Sequence, residues 1–191
     1  MIRKIVTKTD KEKVERRNQT IMTVGIVLLF LFSTAGFAFF SGQKEDTIKN
    51  IEYNGYEFIL TENGYWYTEI ESQQFGFQYS PLETEDIPVP PVSLGTYASQ
   101  PLYFDSENAA ATSEIARNLQ NYVSRIGEAC IEEENCKEDL PIKNCSENII
   151  IINYSNDTAI KVDENCVFIE GNSEELVRET DAFLYKLIGV K

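Results

Sequence analysis

Twenty consecutive residues, Ile21 to Phe40, carry no charge, and their only polar side chains are Thr23, Ser33 and Thr34. A helix rises ~1.5 Å per residue, so a run of this length covers the ~30 Å hydrocarbon core of a bilayer. It predicts a transmembrane helix over 21–40, which divides the chain into a basic tail (1–20), the span, and an outer domain (41–191). Lys and Arg beside a span stay on the cytoplasmic side. Arg3, Lys4, Lys8, Lys11, Lys13, Arg16 and Arg17 precede the span against three acids, Asp10, Glu12 and Glu15. The expected localisation is the cell membrane, single-pass, with the N-terminus cytoplasmic, the C-terminal domain extracytoplasmic and the lipid bilayer as one partner. The alternative is a cleaved secretory signal, because Gly36-Phe37-Ala38 resembles a small-x-small cleavage site. The apolar run exceeds the roughly 7–15 residues of a signal core.

Residues 41–191 contain ten Lys+Arg against twenty-eight Asp+Glu, a formal charge of −18. Nucleic acid is excluded as a partner on this ground. Phosphate contacts need clustered cations, and the stretch between Lys49 and Arg117 has none beside eleven acids. No carboxylates fall in a calcium-loop spacing, so the acids read as a solvated, self-repelling face, with no metal or cofactor.

The four cysteines, Cys130, Cys136, Cys145 and Cys166, all lie in the outer domain. Their spacing matches neither a zinc ribbon nor a C-x-x-C redox pair and predicts two disulfides formed in an oxidising compartment. Four cysteines allow three pairings; Cys130 with Cys136 and Cys145 with Cys166 is preferred, with four-cysteine zinc as the rival.

Histidine is absent. This removes Ser-His-Asp and Cys-His machinery, His-ligated zinc and imidazole acid–base chemistry. A carboxylate pair or a Ser-Lys arrangement remains. Ser41-Gly42-Gln43-Lys44 has the S-x-x-K spacing, but it abuts the end of the apolar run, where a desolvating pocket is hard to build. No catalytic residue is nominated.

Two Asn-Gly pairs, Asn54-Gly55 and Asn63-Gly64, sit between runs of aromatic and β-branched residues, the pattern of type I′ hairpins. They predict strands at 48–53, 56–61, 65–71 and 74–79, an antiparallel meander with one apolar face. The meander holds nine aromatics in the twenty-seven residues from Tyr53 to Tyr79. Aromatics favour strands and fill small cores, but the same density beside carboxylates suits stacking on sugar rings. In Tyr65-Trp66-Tyr67, a strand must point Trp66 away from its neighbours. These three are the candidate binding residues.

From Pro81 to Pro101 come five of the six prolines. They predict an extended connector inside one domain, or a linker between two small units. Beyond it lie a strand at 102–104, a helix capped at Asp105 or Ser106 and running to about Ala129, and the isoleucine run Ile149–Ile152, typical of a strand buried on both faces. Strands at 158–162 and 166–170 and a helix capped at Asn172 or Ser173 complete the pattern. Strand, helix and buried strand imply a right-handed crossover.

The cysteine positions together with Asp139-Leu140-Pro141-Ile142, Asn165-Cys166-Val167-Phe168-Ile169-Glu170-Gly171 and Asp181-Ala182-Phe183-Leu184-Tyr185-Lys186-Leu187-Ile188-Gly189 carry a resemblance over about sixty residues. Here the chain resembles a type of uncharacterised small single-pass archaeal membrane protein. The resemblance implies an anchored extracytoplasmic domain and no activity. Three N-x-S/T sequons fall in this region, at Asn144, Asn153 and Asn156, with Asn156 in a predicted turn the best glycan acceptor.

The expected fold is α+β: an N-terminal transmembrane helix, then an antiparallel β-meander followed by a β-α-β-β-β-α unit. The expected function is a membrane-anchored binding or accessory subunit of a cell-envelope assembly, without catalysis, whose partner is another envelope protein or a glycan. A glycan-binding module using Trp66 is the alternative, and a carboxylate-based hydrolase the third reading.

Overall fold

The two Asn-Gly pairs set the first sheet. Asn54 and Gly55 both take positive φ (50° and 83°), and this lets β1 (Lys49–Tyr53) fold directly onto β2 (Tyr56–Leu60). β3 (Trp66–Ile70) and β4 (Gln73–Phe77) continue the antiparallel order β1-β2-β3-β4. The computed structural model describes residues 16–29, 49–134, 136 and 139–191.

A second sheet has the order β6-β5-β7-β9-β8: β5 (Pro101–Ser106), β6 (Arg125–Glu128), β7 (Ile149–Tyr154), β8 (Ala159–Asp163) and β9 (Cys166–Gly171). β6, β5, β7 and β9 run parallel, and β8 closes one edge antiparallel to β9. Helices α2 (Ala109–Leu119) and α3 (Leu176–Leu187) pack on each other and on one face of this sheet. Phe58 and Phe77 of the meander meet Tyr185 of α3 from the other side, at ring-centroid distances of 5.6 and 4.2 Å. Leu102, Phe104, Ile150, Ile152, Val167 and Ile169 fill the same core from the second sheet.

Buried polar side chains stitch the meander to the helices. Asn118 of α2 accepts from the Gly76 N–H and donates to the Gly76 carbonyl, both at 2.9 Å, so it replaces the strand partner that the edge of β4 lacks. Asp181 of α3 accepts from the Tyr79 N–H at 2.8 Å, and the Tyr185 hydroxyl donates to the Tyr79 carbonyl at 2.6 Å. Asn118→Ala would leave the Gly76 N–H without its side-chain partner and the Gly76 carbonyl with only the Arg117 guanidinium at 3.0 Å, and should cost about 1–3 kcal/mol, read as a lower urea midpoint.

The transmembrane helix expected over 21–40 is overturned. The described residues of helix α1 are 16–29, and among the described residues no helix is long and apolar enough to cross a membrane. The single-pass localisation drawn from that span falls with it. The remainder of the span, the tail before Arg16 and Ser41–Lys44 lie outside the described residues. Residues 1–47 and 48–191 separate into two units, and the second is an α+β fold of two sheets.

The crossover helix is also corrected. Asn108, not Asp105 or Ser106, caps α2 by accepting from the Ala111 N–H at 2.9 Å, and the helix stops at Leu119. The apolar spacing of Tyr122, Val123 and Ile126 continues the helical period, but tertiary pairing takes these residues elsewhere. The Ser99 N–H donates to the Tyr122 carbonyl at 2.7 Å and the Ser124 N–H to the Gln100 carbonyl at 2.9 Å, which delivers 125–128 to the edge of β5 as an extra strand. The Pro-rich stretch contributes Ile87 and Tyr97 to the core and is held by packing along its length.

Candidate binding groove

Alternation along the parallel strands gives the second sheet two unlike faces. Leu102, Phe104, Ile150, Ile152, Val167 and Ile169 point to the helices, so Tyr103, Asp105, Ile149, Ile151, Asn153, Cys166, Phe168 and Glu170 point the other way. In most parallel sheets helices cover both faces. Here the described residues of the connection from β6 to β7 form no helix, and Ala129, Ile131 and Cys145 pack on Tyr103, Ile149 and Ile151. Two disulfides hold this cover, Cys130–Cys136 within it and Cys145–Cys166 tying it to β9. This is the pairing preferred from the sequence, and all four thiols are consumed. The disulfides indicate an oxidising compartment.

The cover protects the amino-terminal half of the strands and leaves the carboxyl-terminal half open as a groove of about 770 Å³. Its floor is set by register. Asp105, Ile151 and Phe168 stand side by side on β5, β7 and β9, and Asn153 and Glu170 form the next row. One wall is the start of the cover, with Glu128, Ile131 and Leu140; the other is the first turn of α2, with Ala109, Thr112 and Ser113. Asp105 accepts from the Ile131 N–H at 2.8 Å, which pins wall to floor. The Ser106 and Thr112 hydroxyls and the Asn108 backbone are tied together at the opposite corner, with Thr112 donating to Ser106 at 2.8 Å.

Its position has a topological cause. From β5 the chain turns through α2 to β6 on one side, whereas β7 leads to β8 and β9 on the other. Adjacent parallel strands whose connections diverge leave a crevice outside their carboxyl ends, where open α/β sheets bind ligands.

The sequence-predicted binding residues lie elsewhere. Trp66 is only 6% exposed and belongs to the core with Phe58, Phe75 and Phe77, so it offers no open ring for a sugar. Tyr65 and Tyr67 are half-buried on the opposite side of β3, their ring centroids 6.4 Å apart. The Arg117 guanidinium lies 4.6 Å from the Tyr65 ring centroid, and Tyr67 covers Gly76, where a Cβ would strike its ring. The consecutive aromatics thus divide between core and strand cover. Asn144, Asn153 and Asn156 are all exposed. Asn144 closes a turn by accepting from the Ser146 N–H at 2.9 Å, Asn156 lies between β7 and β8, and Asn153 faces the groove.

Three buried acids occupy the helices, outside the groove. Glu114 of α2 bonds Arg117 at 2.6 Å and Gln78 at 3.1 Å. Burial, reinforced by the neighbouring Glu114, pushes the Asp181 carboxyl well above its usual range. Glu179 is wholly buried below Gly171, and burial raises its pKa to about 7, opposed in part by the Thr158 hydroxyl. These groups join elements together and do not line the groove. Among the described residues no group of three or more acids and cysteines converges to hold a metal.

Asp105 and Asn153 were discoverable from the sequence: each directly follows an apolar strand run, Leu102–Phe104 or Ile149–Ile152. Polar residues at the carboxyl ends of parallel strands are where this class of sheet places its ligand contacts. Compared with protein-family models, curated proteins and solved structures, the chain matches none.

Proposed function

We propose that this chain is a non-catalytic binding subunit that engages another protein of the oxidising compartment in which its disulfides form, and that the groove over β5, β7 and β9 is its binding surface. The observation that carries this reading is the groove itself. Its volume of about 770 Å³ lies within the roughly 300–1,000 Å³ of ligand sites, it combines apolar surface with convergent polar groups, and it stands at the divergence of β5 and β7. The chain supplies no histidine and no free thiol to do chemistry there. The meander and helices serve as the rigid base.

Site-specific photo-crosslinking tests this. A photoreactive residue at Glu128, on the exposed rim of the groove, should yield one protein adduct at fixed stoichiometry in the native source. The same residue at Glu62, exposed in the turn after β2, should not. Absence of an adduct at 128, or equal labelling from both positions, would overturn the proposal.

A further inference from the structure

At the amino-terminal ends of the parallel strands lies a cleft distinct from the groove. One part, of about 310 Å³, has an apolar side formed by Pro91, Val92, Val162 and Val167 and a polar side that includes Tyr97, Glu164 and Asn165. A second pocket of about 280 Å³ adjoins it, sharing Thr96 and Asn165 and adding Gln100, Ser146 and Asn148. Asn148 is buried and fixed by donating to the Thr96 carbonyl at 3.1 Å, which leaves its Oδ1 to accept.

Two features of the first pocket are unfavourable for the chain by itself. Tyr97 is only 3% exposed, and burial alone raises the pKa of its hydroxyl, with no hydrogen bond contributing among the described residues. A buried hydroxyl normally finds a partner, and one left without is destabilising. Glu164 opens the turn between β8 and β9 at φ 49°, a conformation that glycine adopts at less cost. Both residues line the same pocket, and a hydrogen bond from a ligand to Tyr97 removes the first deficit. The lining also selects the ligand. Hydroxyls and amides both donate and accept, as sugar hydroxyls do, and the apolar side suits the C–H face of a pyranose ring. Two adjoining pockets, each near the roughly 300 Å³ lower end of ligand sites, suit two consecutive rings.

We propose that this cleft binds a neutral disaccharide unit of a glycan, one ring packed on Val162 and Val167 with a hydroxyl bonded to Tyr97, and the next ring in the adjoining pocket beside Gln100 and Asn148. The site is independent of the groove, and crosslinking at Glu128 bears on the groove alone.

Amide NMR titration of the full chain with maltose, cellobiose and N,N′-diacetylchitobiose tests this, with glucose and a blocked valine–asparagine dipeptide as comparisons. At least one disaccharide should give saturable shifts at Thr96, Tyr97 and Asn165 and bind about tenfold more tightly than glucose. Tyr97→Phe, which keeps the ring, should weaken that binding about fivefold. Without sugar it should raise the urea midpoint, because a hydroxyl without a partner has gone. Tyr65→Phe, outside the cleft, should leave the sugar affinity unchanged. No shift with any of the three disaccharides, shifts confined to residues outside the cleft, equal binding of glucose, tighter binding of the dipeptide, or unchanged affinity in Tyr97→Phe would each overturn the inference. A lowered midpoint in Tyr97→Phe would show that the hydroxyl already has a partner in the folded chain, and would overturn it too.

Discussion

Trp66→Ala should cost about 3–5 kcal/mol, the penalty for emptying a large aromatic site in a packed core. Trp66 is 6% exposed, stands opposite Phe77 across the β3–β4 ladder, and shares its cluster with Phe58 and Phe75. Against a typical domain stability of 5–15 kcal/mol, that loss lowers the urea midpoint sharply. Tyr65→Ala supplies the contrast. Tyr65 is half-buried, and its contacts are Tyr67 and Arg117 rather than the core, so its removal should cost about 1 kcal/mol. If Trp66→Ala instead kept the wild-type midpoint while abolishing a binding activity, the indole would be a ligand contact and the groove would not be the principal site.

This outcome also marks how far the aromatic signal could be read. The meander was legible because its constraints are local: Asn54-Gly55 and Gly64 demand positive φ, and the alternation of Phe75 and Phe77 assigns one face. Which side of Tyr65-Trp66-Tyr67 becomes core depends on where α2 and α3 dock, a tertiary fact absent from the triplet. The isoleucine run Ile149–Ile152 was readable as a doubly buried strand for the same local reason, and all four residues are buried. Strand β6 was not readable. Its four residues follow apolar positions that continue the period of α2, and only pairing with β5 converts them to a strand. The groove residues were scattered among carboxylates indistinguishable by type, and only strand register brings Asp105, Ile151 and Phe168 together.

Stability should fall as pH rises from about 4.5 to above 7, opposite to the behaviour of proteins whose carboxylates are stabilised by native partners. Glu179 is wholly buried, the Thr158 hydroxyl offsets this only in part, and its pKa rises from 4.5 to about 7 because burial disfavours the charged form. Below pH 4.5 the group is neutral in the folded and unfolded states and exerts no pH-dependent effect. Between 4.5 and 7 the unfolded chain releases the proton while the folded chain retains it, so each step upward favours unfolding. Above 7 the group is ionised in both states and the full penalty, on the order of 3 kcal/mol, is in place. Asp181 acts in the same direction, since burial and Glu114 raise it, and its neutral form can donate from Oδ1, otherwise without a partner, to Glu114. The formal charge of −14 adds self-repulsion as the remaining acids ionise. Asp86, lowered by its hydrogen bond to Arg178, opposes this trend only as pH falls through its own depressed range, below the window in question. Urea unfolding at pH 5 and pH 8 should therefore give the higher stability at pH 5. Glu179→Gln should match the wild type at pH 5 and exceed it at pH 8, leaving the smaller slope due to Asp181. A wild-type stability that is flat or rises over this interval would show that Glu179 gains a partner or solvent on ionisation, and that the seam between α3 and Gly171 opens more readily than its packing implies.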